Sequence, residues 1–199
     1  QNFAADLGQS YRVTRDCFKL HACCRATHAA VDAALALRRE HEIKPADIVQ
    51  IDYEGWDVGI QFAGNPQPWT GLEGKFSVQY CISAALADGH AGSGQFTDAR
   101  VRTPELQELT AKVRTIPNAT YDDRRATVTV TTRDGRTYQE STASLKGDPD
   151  NPLTWEELEG KFRGLAGSIL SPDKVDRIAG LVAEFETLDD VNALTSQWR

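Results

Sequence analysis

One stretch with a repeat of two constrains the fold of this chain more than any other. Ala126-Thr-Val-Thr-Val-Thr-Thr132 alternates along its length, Asp134-Gly135 follows, and Thr137–Ser144 returns. Strict alternation marks a strand with one face buried, and Asp-Gly between two such runs is a hairpin signal. The chain must therefore build a sheet. Ile48-Val-Gln-Ile-Asp-Tyr53 is a second β-branched run and a further strand.

Elsewhere the period is helical. Ala30, Val31, Ala34 and Leu35 predict a helix over about 28–41, with Thr27 as N-cap and Arg38 and Arg39 closing it where cations suit the dipole. Leu72, Phe76, Tyr80, Ala84 and Ala87 predict one long helix over about 72–88. Pro104 opens a shorter one over about 104–113. Between Glu54 and Thr70 the glycines and prolines predict irregular chain. Gly147-Asp-Pro-Asp-Asn-Pro152 is a boundary by composition, and only helical patterns follow. Thr154 and Glu157 form a capping box, and Ser171-Pro172 restarts a helix. A third stripe holds Leu188, Val191, Leu194 and Trp198. The reading is α+β: a domain with a sheet and two long helices over 1–147, whose first ten or so residues are an entry segment, then C-terminal helices over 148–199. Those helices carry Trp155, Phe162, Phe185 and Trp198, which need a surface to pack on.

Charge narrows the partners. With 22 Lys and Arg against 29 Asp and Glu, the net charge of -7 argues against nucleic acid and favours a small molecule or a protein. No apolar run approaches the ~18 residues of a membrane span. Cys17, Cys23, Cys24 and Cys81 do not make a disulfide framework, so reduced thiols and a cytoplasmic location are expected. The chain has no Met and begins with Gln1, which predicts a fragment or a processed product.

The chemistry gathers in Lys19-Leu-His-Ala-Cys-Cys-Arg-Ala-Thr-His28, immediately before the first helix. Free N–H groups at a helix start attract anions, and Lys19 and Arg25 add full charge, so a carboxylate or phosphate suits the place. His21, Cys23, Cys24 and His28 lack zinc-ligand spacing, and no metal is expected. The loop Asp88-Gly-His-Ala-Gly-Ser-Gly94 lacks the Gly-Lys-Ser/Thr of a nucleotide-binding loop. A nucleophilic role for Cys24 stands beside a packing role for both adjacent cysteines.

Three ordered blocks carry a resemblance. They are Lys19…Cys24…His28-Ala-Ala-Val-Asp, then Gly74-Lys-Phe-Ser-Val-Gln-Tyr80 with Asp88-Gly89, then Gly147–Leu153 with Glu157-Leu158 and Lys161-Phe162. Together they resemble the C-terminal portion of the MmgE/PrpD family, which includes 2-methylcitrate dehydratase, cis-aconitate decarboxylase and iminodisuccinate epimerase. The resemblance implies a chain more than twice as long, with an N-terminal helical domain under the α+β lid and the terminal helices packed on it. It implies cofactor-independent proton abstraction next to a carboxylate of a small di- or tricarboxylate, within a homodimer. In the full-length enzyme it implies catalytic roles for Lys19 and His28. The residues themselves add Tyr80 as a catalytic group whose hydroxyl is expected to face the cleft from the second helix, and Arg25, as a carboxylate fork, with Cys24 and Ser77 as substrate-binding groups. Cis-aconitate decarboxylases resemble a pattern with histidine where this chain has Cys24, and the Cys-Cys-Arg run is more similar to dehydratase-type members. Dehydration is thus the expected reaction. Decarboxylation, epimerisation and a non-catalytic lid or assembly subunit are the alternatives, and the fragment alone is expected to be inactive.

Overall fold

In a computed structural model, which describes residues 7–9 and 11–198, the chain forms two compact units that divide between Leu153 and Thr154. Apart from residues 7–9, the expected entry segment of the first ten lies outside the described residues. Residues 148–153, expected to begin the tail, belong to the first unit because a tight turn holds them there. The Gly147 N–H donates to the Asn151 carbonyl at 2.8 Å, and the Asn151 N–H donates to that of Asp148 at 2.9 Å.

In chain order the first unit runs α1 (His28–His41), β1 (Ile48–Trp56), α2 (Asp57–Ala63), α3 (Gly71–Lys75), α4 (Val78–Asp88), α5 (Asp98–Val101) and α6 (Pro104–Ala111). Strands β2 (Val113–Asn118), β3 (Ala126–Thr132) and β4 (Thr137–Thr142) complete it. The sheet order is β2-β1-β3-β4, with β1 parallel to β2 and the other pairs antiparallel. The hairpin forms as its alternation demands, and Gly135 takes the left-handed φ of 83° that its turn requires.

Ile51 and Tyr53 of β1 and Val128 and Val130 of β3 are buried in one core with α1, α4 and α6. Helix α1 packs on β3, β4 and α4, and α4 packs on α6 and β2. Leu37, Ile51 and Ile82 are fully buried, each worth roughly 1.5–3 kcal/mol. This core fixes α1, and with it the residues at the helix's start. Arg38, at the far end, also secures α4, because its guanidinium donates to the carbonyls of Leu86 and Ala87 in the last turn of that helix.

Four local expectations change. Thr27 does not cap α1: a 3-10 turn over Arg25–Thr27 precedes the helix, and the Thr27 hydroxyl donates to the Cys24 carbonyl at 2.8 Å. The long helix over 72–88 is two, α3 and α4, broken at Phe76-Ser77. Thr70 and Glu73 box the start of α3, and Ser77 caps α4 by accepting from the Tyr80 N–H at 3.1 Å. The break turns the stripe, leaving Leu72 and Phe76 exposed while Tyr80 and Ala84 are buried. Within 54–70 the chain is regular as far as Ala63, through the end of β1 and α2. The unforeseen strand is β2, at the sheet edge, where the missing N–H of Pro117 is tolerated.

The second unit holds α7 (Trp155–Ala166), α8 (Pro172–Ala183) and the short α9 (Asn192–Thr195). The capping box closes in both directions, with Glu157 N–H to Thr154 Oγ1 at 3.2 Å and Thr154 N–H to Glu157 Oε2 at 2.7 Å. Val175, Ile178, Ala179 and Leu194 are buried, while Trp155, Leu165, Ile169 and Phe185 stay exposed. The side chain of Trp198 lies outside the described residues. No helix among the described residues is long and apolar enough to cross a membrane.

Candidate functional site

The segment from Phe18 to Cys24 has no regular structure, yet its backbone is pinned at three points. The Phe18 N–H donates to the Gly147 carbonyl, that of Ala22 to Ala91, and that of Cys24 to Lys75, each at 2.9 Å. Lys19 lies exposed between the first two anchors. Gly147 is required at the first. Its φ is 96°, and a Cβ there would stand 2.0 Å from the Phe18 carbonyl oxygen. Gly147→Ala is accordingly expected to displace the segment carrying Lys19 and to destabilise the first unit by at least ~1–3 kcal/mol, the usual cost of a misplaced backbone conformation. Chemical denaturation measures the loss, and an unchanged midpoint would contradict it.

Arg25 ties the turn before α1 to the Gly147 loop. Its guanidinium grips Asp148 with two bonds, at 3.0 and 3.2 Å, and donates to Asp123 at 3.0 Å. Those bonds, Asp148's first, raise the Arg25 pKa further above its ordinary value. Burial pushes the Asp148 carboxyl up, but the bonds from Arg25 and the Cys17 thiol outweigh it and hold the group below its ordinary range. The fork expected to take a substrate carboxylate is therefore occupied by this chain's own carboxylates.

Two histidines lie behind that turn. His28 opens α1 and is 2% exposed, and His21 is 6% exposed. Their rings meet edge to face with centroids 5.0 Å apart. His21 Nε2 is 2.7 Å from Asp32 Oδ1, and the other Asp32 oxygen accepts the Lys146 N–H at 3.3 Å. Asp32 lies one helical turn beyond His28, so the two side chains share a face. The Cys23 sulfur accepts the Thr27 hydroxyl at 3.1 Å. Bonding from Cys81 outweighs burial and, with that of His28 and Thr27, holds the Cys23 thiol well below its ordinary value, while burial raises Cys81. His28 Nε2 is buried without a hydrogen-bond partner, as are atoms of Gln79, Thr110 and Ser144; of these four side chains only the imidazole is of an acid–base type.

The six expected site residues separate. Lys19 is exposed, Cys24 and Arg25 are half-buried, and His28, which follows them in sequence, is buried. Tyr80 and Ser77 do not join them. The Tyr80 hydroxyl, expected to face a cleft, turns inward to donate to the Gln95 carbonyl, and burial raises its pKa. The Ser77 hydroxyl donates to the Asn65 carbonyl at 2.5 Å while capping α4. Asp32 and Asp148 were missed. The His28–Asp32 spacing of one helical turn was a usable signal, and Asp148 sat in the quoted Gly147–Leu153 run; nothing local marked Asp123. All four cysteines are free. Among the described residues no group of His, Cys, Asp and Glu gathers as a set of metal ligands.

Residues 21–187 match the MmgE/PrpD C-terminal domain. The chain belongs to the MmgE/PrpD family. It is 32% identical over 188 residues to cis-aconitate decarboxylase of Mus musculus, an alignment covering 89% of this chain and 38% of the relative. With cis-aconitate decarboxylase of Homo sapiens it shares 29% identity over 189 residues, covering 90% and 39%. A cis-aconitate decarboxylase-like protein, oryM, of Aspergillus oryzae is 26% identical over 206 residues, covering 94% and 41%. The chain spans about two-fifths of the length of the curated relatives it matches. The family match thus takes in the histidine pair, Cys24, Arg25, α1, the sheet and the Gly147–Asp148 turn, and its reported span begins two residues after Lys19.

Proposed function

We propose that this chain is the C-terminal part of a cofactor-independent lyase that moves a proton at the carbon next to a carboxylate of a small di- or tricarboxylate, with loss of water. The observation that carries the reading is His28 Nε2, a buried imidazole nitrogen with no hydrogen-bond partner at the start of α1. A purely structural buried nitrogen is normally satisfied, so an orphaned one in a titratable ring points to chemistry. In this reading His28 takes the proton from carbon. The electron pair forms the new double bond, and the neighbouring hydroxyl leaves as water after accepting a proton from solvent, to which His28 then releases the one it took. Lys19, held at the surface by its pinned flanks, binds a substrate carboxylate and stabilises the charge that develops on it. Cys24 lies against the same substrate. Because Nε2 is covered in this conformation, its cover opens for substrate to enter. Arg25 acts on the site through Asp148 and Asp123 rather than on the substrate.

Decarboxylation is the second reading, favoured by the names of the relatives. It uses the same binding of carboxylates and delivers a proton to the carbon that loses CO2. The two are separated by incubating the full-length protein with a panel of hydroxylated and unsaturated citrate-like acids. Ultraviolet absorbance follows the enoic acid, and a gas-phase assay follows CO2. Enoate formed from a hydroxy acid is the expected result. CO2 released from an unsaturated acid without dehydration would move the assignment to the second reading, and no turnover of any member would overturn both.

A further inference from the structure

The proposed base is a histidine, yet the residue that orients it has no place in the reading so far. We propose that Asp32 and His21 are a positioning pair that fixes the tautomer and ring plane of His28; the purpose assigned to the pair rests on His28 being the proton-transfer group. Two donors converge on the Asp32 carboxylate: His21 Nε2 at 2.7 Å on one oxygen and the Lys146 backbone N–H at 3.3 Å on the other. A carboxylate only accepts, so His21 Nε2 carries its proton. The Lys146 donor is backbone and cannot reverse its role. Asp32 is itself held on α1 one turn past His28, so His21 is anchored to the helix that carries its neighbour. Its ring then meets that of His28 at 61°, with centroids 5.0 Å apart. Both rings are more than nine-tenths buried, which leaves little room to reorient. His28 also meets the Cys23 thiol, which bonds Cys81 and the Thr27 hydroxyl as well. His28 is thus in contact with a fixed imidazole and a polar sulfur, with Nε2 left as a nitrogen that has no hydrogen-bond partner.

Asp32→Asn tests the pair with little change of shape. The amide oxygen must stay on the Lys146 N–H, so the NH2 group faces His21 and can only donate. His21 Nε2 must then accept, and its proton moves to Nδ1, the inversion expected when the orienting carboxylate of a carboxylate–histidine pair becomes an amide. Long-range 15N–1H correlation spectra of the imidazoles, recorded on this chain, read the outcome without any turnover assay. In the native chain His21 should carry its proton on Nε2 and His28 should occupy one tautomer. In Asp32→Asn, with the backbone amide spectrum otherwise preserved, His21 should invert and His28 should lose its single tautomer, giving averaged nitrogen shifts. A native His21 protonated on Nδ1 alone would overturn the proposal whether or not the variant folds. So would a His28 signal that stays unchanged when His21 inverts. Because the spectra need no substrate, failure of the lyase reading would appear separately, as absent turnover with the tautomer pattern intact.

Discussion

His28→Ala in the full-length protein is expected to lower kcat by about 100-fold or more, the usual scale for losing a positioned acid–base group. Lys19→Ala is expected to cost a similar factor. The two should differ in character. Lys19 stands exposed between pinned flanks, so its loss should weaken substrate binding as well as turnover. The His28 ring is buried against His21, and alanine leaves a void, so His28→Gln serves as the better-filled control. Steady-state kinetics on all three variants decides the matter. Near-normal turnover in His28→Gln and Lys19→Ala would remove both residues from the mechanism.

Asp148→Ala is expected to destabilise the first unit by about 2–3 kcal/mol, somewhat below the range for breaking a fully buried ion pair. The discount reflects geometry: the Asp148 side chain is 5% exposed, but that of Arg25 is 33% exposed and keeps its bond to Asp123. The pair also sets a pH dependence. In the folded chain the Asp148 carboxyl titrates below its ordinary value of 3.8, while Arg25 stays charged throughout. The stabilisation is therefore complete above about pH 4–5 and is lost as pH falls through 3.8 toward the depressed folded value. Denaturation midpoints measured down the acid range should show the native chain losing this contribution. Asp148→Ala, already lacking it, should approach the native chain as the pH drops. Parallel acid limbs would show that Asp148 contributes no linked stability. Since the same residue anchors the turn holding Arg25 and the Gly147 contact to Phe18, lower activity in the full-length variant should accompany the lower stability.

The fold was most legible where local periodicity and local packing coincide. The 126–142 hairpin and α1 follow from side-chain spacing, because each element's buried face repeats at its own backbone period, while the capping box of α7 and the Ser171-Pro172 start of α8 follow from cap chemistry confined to a few neighbouring residues. Three misreadings share one cause. The 72–88 stripe fitted one helix, but the Ser77 hydroxyl had partners in Asn65 and Tyr80 that reward a break. Thr27 looked like a cap, but its hydroxyl found Cys24 and Cys23 first. Strand β2 has little pattern of its own and exists because β1 offers it a parallel edge.

The candidate site divides the same way. From sequence alone came the family, and with it the expectation that carboxylate chemistry lies at the start of α1. These were legible because the reactive residue types crowd into ten positions and the flanking blocks match in order. Only the tertiary structure decided which partners those residues meet. Arg25 is separated from Asp148 by 123 positions and His21 from Asp32 by 11, distances at which no local pattern shows which charge meets which. Asp148 and Asp123 hold Arg25, the Gln95 and Asn65 carbonyls take the Tyr80 and Ser77 hydroxyls, and His28 Nε2 has no hydrogen-bond partner. A side chain's type can be read from the sequence, but its availability depends on what the rest of the chain has already bonded to it.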